Sequence, residues 1–257
     1  MRNMCSANER AVTAIDDAAV GVFAFVGKDG HPRSCAVSPY LDAGQAIVSS
    51  TLAFTGKVAA VRRDPRMALL AGGAQVRGRA VVEIDLTSAA FDARLRAQEL
   101  RKYPPARRLL AIPGHRRLLW WYVGRALVKI PLADWEETGG SDKVTLTVLD
   151  AGLPRIVPLD PGTGTASDEI AVPAGIADGP ACLLVHDEDP KMTDLRQLTL
   201  HGTVRDRQFH VERRTGSLTP ASSSALEQFR TLRSWARQAR ARRAVLERWA
   251  QDDQAAA

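Results

Sequence analysis

Cysteine is nearly absent: Cys5, Cys35 and Cys182 are the three in 257 residues. Odd in number and widely separated, they fit a reducing cytoplasm better than a disulfide framework. They also give no metal-ligand spacing. No run of about 18 apolar residues occurs, so no membrane span is expected. The start of the chain, Met1 to Ser6, lacks the apolar core of a secretory signal. No Gly-x-Gly-x-x-Gly follows a strand, which leaves a Rossmann nicotinamide domain unsupported, and no nucleophile elbow is present. The five histidines, His31, His115, His186, His201 and His210, are scattered, with no pair at helical metal spacing. Lysine is scarce, six residues against 29 arginines.

Hydrophobic residues make up 45% of the chain, enough for a sizeable core, and the length suits one large domain or two small ones. The formal net charge is +6 and the isoelectric point about 9.6. Such a balance attracts anions in general. The arginine and alanine bias reads as the compositional habit of a GC-rich genome, and no nucleic-acid motif accompanies it, so nucleic acid is not an expected partner.

Punctuation along the chain predicts the elements. Residues 6–18 form an amphipathic helix with Val12 and Ile15 on one face. Val20–Val26 is an apolar strand, and Lys28-Asp29-Gly30 is a hairpin turn. Strands near 33–39 and 45–50 precede a helix over 56–63, and further strands lie near 66–71 and 75–85. Thr87 and Ser88 are cap candidates for a helix reaching Lys102. After the break at Tyr103-Pro104-Pro105 and a short helix near 106–111, the aromatic stretch 118–123 and the stretch 126–130 read as strands. Residues 221–252 form a long helix, with Leu226, Phe229, Leu232, Trp235, Ala239, Leu246 and Trp249 near one face and a row of arginines on the other. That helix is expected to dock on the body of the protein with its basic face solvated.

The stretch from Gly30 to Ala80 carries the chemistry. A strand ends in Ser49-Ser50-Thr51, and a loop through Thr55 and Gly56 leads to Lys57 at the start of a helix. Hydroxyls and free helix-start amides donate hydrogen bonds and the lysine adds charge, a combination that suits a phosphate. Each hydroxyl is equally able to cap the following turn. Thr55 is the cap candidate, Gly56 would let a ligand approach the backbone closely, and Lys57 would be the charge partner. Arg33 starts a neighbouring strand, and Arg77 and Arg79 share one face of another.

The ordered set Gly30-His31-Pro32-Arg33, Ile47 to Thr51, Lys57-Val58, Arg63 to Leu70 and Gly78 to Val81 resembles the flavin-binding split barrels of the pyridoxamine 5'-phosphate oxidase-like superfamily. The resemblance covers about residues 10–135. It implies a mainly β fold with helices (α+β), a split β-barrel. It also implies FMN as cofactor, with a deazaflavin or, in a further branch, haem as alternatives. The implied cofactor-binding residues are Arg33, Ser49, Ser50, Thr51, Thr55, Gly56 and Lys57. The chain departs from the vitamin B6 oxidases: Cys35 stands where they carry an arginine, and Gly56-Lys57 where they pair two basic residues. Their substrate-binding C-terminal segment has no match, so that substrate is not expected.

A weak repeat extends the pattern. Gly30–Arg33 is echoed by Gly152–Arg155, Ile47-Val48 by Ile170–Val172, Pro65–Leu70 by Pro180–Val185, and Val76–Arg79 by Leu200–Thr203. The expectation is a duplicated split barrel: a first copy over 1–137 with the phosphate site, a divergent second copy over 142–216, and a C-terminal helix over 221–252. The chain would be a monomer with an internal pseudo-dimer, or a homodimer. A cytoplasmic flavin-dependent oxidoreductase acting on a small organic molecule is the reading. A deazaflavin-dependent reductase and a non-catalytic flavin- or haem-binding protein stand beside it.

Overall fold

The computed structural model describes residues 2–189, 192, 194–220 and 225–255; side chains of 2–8, 109, 118, 225–229 and 254 lie outside the description. The first half runs α1 (Arg2–Asp17), β1 (Gly21–Val26), β2 (Pro32–Val37), β3 (Pro39–Asp42), β4 (Gln45–Thr51), α2 (Gly56–Arg63), β5 (Arg66–Ala71), β6 (Ala74–Arg79) and β7 (Val81–Asp85). Five short helices follow: α3 (Ala89–Arg94), α4 (Arg96–Lys102), α5 (Ala106–Leu110), α6 (His115–Leu118) and α7 (Trp120–Val123). β8 (Arg125–Pro131) and β9 (Trp135–Glu137) complete this half. The second half holds β10 (Val144–Asp150), β11 (Leu153–Pro158), β12 (Glu169–Ala171), β13 (Gly179–Glu188), β14 (Leu195–Arg205) and β15 (Gln208–Ser217), and the last element is α8 (Ala225–Ala255).

Two bends close the first half into a barrel. One sheet has the order β2-β1-β5-β6-β9 and a second β3-β4-β8-β7. A single residue, Ser38, separates β2 from β3, and a single residue, Ala80, separates β6 from β7. Each of these chain segments therefore serves both sheets, and six long strands form a ring. Pro39 fixes the first bend, because it lacks an N–H and confines the backbone of Ser38. The sequence reading ended its strand at Pro39, leaving most of β3 unread, and merged β6 with β7, so it missed both corners.

The second half repeats the strand order. β11-β10-β13-β14-β15-β12 corresponds to the ring position by position, with β14 in place of the bent β6–β7 pair. Its edge strands β11 and β12 are not paired with one another among the described residues, so this is a curled sheet rather than a ring closed by hydrogen bonds. Val157 of β11 and Ile170 of β12 still meet one core with Leu146, Leu183, Leu200 and Phe209. The fold is a duplicated split β-barrel, mainly β, with a C-terminal helix.

Strand alternation builds three cores from these ladders. Phe23, Met67, Leu69, Val76 and Val128 fill the first barrel. On the opposite faces of the same strands, Val22, Ala24, Ala68 and Leu70 meet Ile156 and Leu184 of the second half. Two glutamines reach across this seam in opposite directions: the Oε1 of Gln75 accepts from the amide of Ile156 at 2.6 Å, and that of Gln197 from the amide of Ala36 at 2.9 Å. Arg77 also crosses, donating to the carbonyls of Asp150 and Pro154 at 2.7 and 3.1 Å.

Facing corrects two of the echoes. Leu69 and Leu183 both point into their barrel cores, whereas Cys182 pairs with His201 on the outer face as Ala68 pairs with Arg77. The Pro65 and Pro180 segments therefore correspond with a shift of one residue, and a one-residue slip exchanges the faces. Likewise Val48 faces the first core while Ile47 faces away, so Ile170 matches a neighbour of Ile47.

Local chemistry explains the remaining differences. In α1 it is Ala11 and Ile15, one turn apart, that are buried, and Val12 is 37% exposed. The helix after β7 is capped by Asp85, not by Thr87 or Ser88: its carboxylate accepts from the amides of Ala89 at 3.0 Å and Phe91 at 2.9 Å. The stretch 118–123 is helical rather than a strand. Both edges of β4 are already taken by β3 and β8, so no ladder position is open there. Trp121 is buried against Leu52 and α8, with Trp235 edge-on at 5.8 Å. Leu232, Ala239, Leu246 and Trp249 of α8 join that cluster; the side chains of Leu226 and Phe229 lie outside the description.

Candidate functional site

α2 begins and ends where its sequence requires. Gly56 follows Thr55 at its start, and Asp64 takes an extended conformation (φ −135°, ψ 103°) ahead of Pro65. The helix start therefore sits just beyond the hydroxyl end of β4. A cavity of about 300 Å³ opens there, at the low end of the roughly 300–1,000 Å³ usual for small-molecule sites. Ala36, Val37, Ser38 and Tyr40 at the first barrel corner form one side, and Ser49, Ser50 and Thr51 another. Phe54 and Lys57 come from the β4–β5 connection, and Glu99, Tyr103 and Tyr122 from the β7–β8 connection. Arg125 lies at the floor, and Met192 and Leu195 approach from the second half.

The expected cofactor residues divide. Ser49, Ser50, Thr51 and Lys57 line the cavity together. Ser50 Oγ donates to the carbonyl of Phe54 at 2.7 Å and so holds the turn. Thr51 Oγ1 is buried with no hydrogen-bond partner. Lys57 makes no hydrogen bond or ion pair among the described residues. A Cβ on Gly56 would meet nothing within 4 Å, so space is open beside it. Thr55 does not cap its own helix; its Oγ1 accepts from Arg242 of α8 at 3.0 Å. Arg33 lies apart from the cavity, paired with Asp29 and 2.7 Å from Nδ1 of His201.

Sequence reasoning missed the cavity floor. Glu99 accepts from the hydroxyl of Tyr40, from Nη2 of Arg125 at 3.2 Å and from the Tyr122 hydroxyl at 3.4 Å. The guanidinium of Arg125 also donates to the Tyr122 carbonyl and stacks 4.5 Å from the Phe91 ring and 4.7 Å from the Tyr122 ring. Burial, reinforced by Glu99, pushes the phenols of Tyr40, Tyr103 and Tyr122 up, so all three remain protonated donors at neutral pH. Burial likewise raises the Cys35 thiol, opposed by the charge of Lys57. With Arg125 neutralised by Glu99, Lys57 is the lining cation left without an anion among the described residues.

The Arg33 contact has its own pH signature. Burial, then the charges of Arg33 and Arg213, lowers the pKa of His201 to about 4. An unfolded histidine protonates near pH 6.5, so between 6.5 and 4 the unfolded chain binds more protons and stability falls as pH falls. Thermal melts of wild type should drop relative to His201→Gln between pH 7 and pH 5, because the unfolded chain takes up a proton that the folded His201 does not. Parallel profiles for the two proteins would refute this.

No protein-family model matches the sequence, and no curated protein is similar to it. Solved structures of similar architecture do exist. General Stress Protein 26 from Bacillus anthracis is 18% identical, with 51% of this chain and 93% of that one covered and a TM-score of 0.37. An F420 reductase is 17% identical over 48% of this chain and 94% of its own, with a TM-score of 0.35. A NimC/NimA family protein from Clostridium acetobutylicum is 15% identical over 48% and 81%, with a TM-score of 0.30. No helix among the described residues is long and apolar enough to cross a membrane.

Proposed function

We propose that the cavity beside Lys57 binds a flavin, FMN or a deazaflavin, and that the chain is an oxidoreductase acting on a small organic molecule. The observation that carries the reading is Lys57: an ammonium without an anion among the described residues, at a helix start, on the wall of a cavity edged by the hydroxyls of β4. The residues fit a flavin phosphate on three further counts. Thr51 Oγ1 is a buried polar atom lacking a partner, the first amides of α2 have no side-chain cap, and the space beside Gly56 is open. A hydroxyl so placed can donate to a phosphate oxygen.

When bound, the isoalloxazine or deazaflavin ring supplies the hydride chemistry. The protein binds, orients and encloses. Lys57 and the helix-start amides would hold the phosphate, Tyr40 and Tyr122 would form a rigid protonated floor, and Met192 and Leu195 would shield the substrate side from water. The second half has no α2 and no helical β7–β8 connection: β14 turns into β15 through Asp206-Arg207 alone. The fused second copy would then act as a built-in partner to one site. Titration of the purified protein with FMN, and separately with a deazaflavin, followed by absorbance and fluorescence, tests the reading. Saturable one-to-one binding of either supports it, and binding of neither overturns it.

A further inference from the structure

We propose that the C-terminal helix α8 belongs to this ligand site and that Arg242 is its second anion-binding cation. The inference rests on the reading of the cavity as a phosphate-bearing ligand's site. Arg242 reaches from α8 to Thr55, which is only 3% exposed and immediately precedes Gly56 and Lys57. Its recorded contact is a neutral hydroxyl. The described acids of α8 are engaged elsewhere: Glu247 pairs with Arg243 at 2.7 Å, Asp253 with Arg62 at 2.5 Å, and Asp252 approaches Arg62 at 3.9 Å. The first turn of α2 has no acidic residue either.

A guanidinium thus reaches Thr55, two residues before the Lys57 ammonium, at the positive end of a helix, where cations are disfavoured. Nothing among the described residues compensates them. Thr51 Oγ1, on the adjoining wall, makes no hydrogen bond among the described residues and can donate to an anion there. α8 is also continuous with that wall, because Trp235 packs edge-on against the cavity residue Phe54 at 5.1 Å. An oxyanion held between Lys57 and Arg242 satisfies all of these groups, and the planar fork of arginine suits a phosphate.

The test uses the full-length protein and three probes: FMN, riboflavin, which lacks the phosphate, and inorganic phosphate. Arg242→Ala should weaken FMN binding about tenfold or more, while riboflavin affinity and Tm stay unchanged. Arg242→Lys should recover part of the loss. Arg248→Ala, on the exposed face of α8, should change nothing. Unchanged FMN affinity in Arg242→Ala overturns the proposal, as does an equal loss for FMN and riboflavin with a lower Tm, which would make Arg242 only a tether. Arg242-dependent phosphate binding without flavin binding would uphold Arg242 and remove the flavin reading. A wild type that binds neither FMN nor phosphate removes both.

Discussion

Glu99→Ala should destabilise the protein by about 3–5 kcal/mol, the scale for removing one partner of a buried ion pair. The Glu99 and Arg125 side chains are only 9% and 4% exposed. Without the carboxylate, the guanidinium keeps the Tyr122 carbonyl and two aromatic faces, but it carries a full charge with no counter-ion, and its Nε already lacks a partner. The Tyr40 hydroxyl loses its acceptor as well. Glu99→Gln should fall between wild type and Glu99→Ala, because an amide oxygen still accepts from Tyr40 while the charge is gone. Urea unfolding monitored by fluorescence measures all three. A loss below about 1 kcal/mol for Glu99→Ala would place the pair in the class of solvent-screened surface bridges and refute its role as a buried floor.

The elements that could be read from the sequence are those whose signals are local. α2 was readable at both ends because Gly56 follows Thr55 at its start and Asp64-Pro65 stops it. The β1–β2 hairpin was readable because Asp29-Gly30 supplies the positive φ that the turn needs, 78° at Gly30. The hydroxyl run and Lys57 could be placed together because Lys57 lies only six positions after Thr51. What decided 118–123 was not local. Trp-Trp-Tyr-Val fits either period, and the occupancy of both β4 edges settled it. The floor cluster was hidden for the same reason: Glu99 lies 59 positions from Tyr40 and 26 from Arg125. The one available sign was a charge, Arg125, heading an apolar strand. The repeat was visible through its turns, but prolines mark turns and not faces, so the register of β5 against β13 needed the ladders.

The asymmetry of the two halves lies in their connections. The strand order is shared, while the cavity side chains Lys57, Glu99, Tyr103 and Tyr122 come from two connections that the second half lacks. The strands supply the frame of the cavity, and the connecting segments supply much of its lining.

Lys57→Ala should weaken FMN binding by about 1.5–3 kcal/mol, about ten- to a hundredfold in Kd, without weakening the fold. The two effects separate because Lys57 makes no hydrogen bond or ion pair among the described residues that folding would lose. Its ammonium sits in the first turn of α2, where the helix dipole disfavours a cation, and alanine is the better helix former. Stability should therefore hold or rise by up to about 1 kcal/mol. A structural lysine behaves in the opposite way, with stability falling and ligand affinity following it down. Riboflavin should bind wild type and variant alike, since the lost charge acts on the phosphate. Raising the salt should weaken FMN binding to wild type more than to Lys57→Ala, because one ion pair is screened in the first and absent in the second. Fluorescence titration with both ligands at two ionic strengths, beside thermal melts, resolves the question. Equal FMN affinity in the two proteins would remove Lys57 from the site.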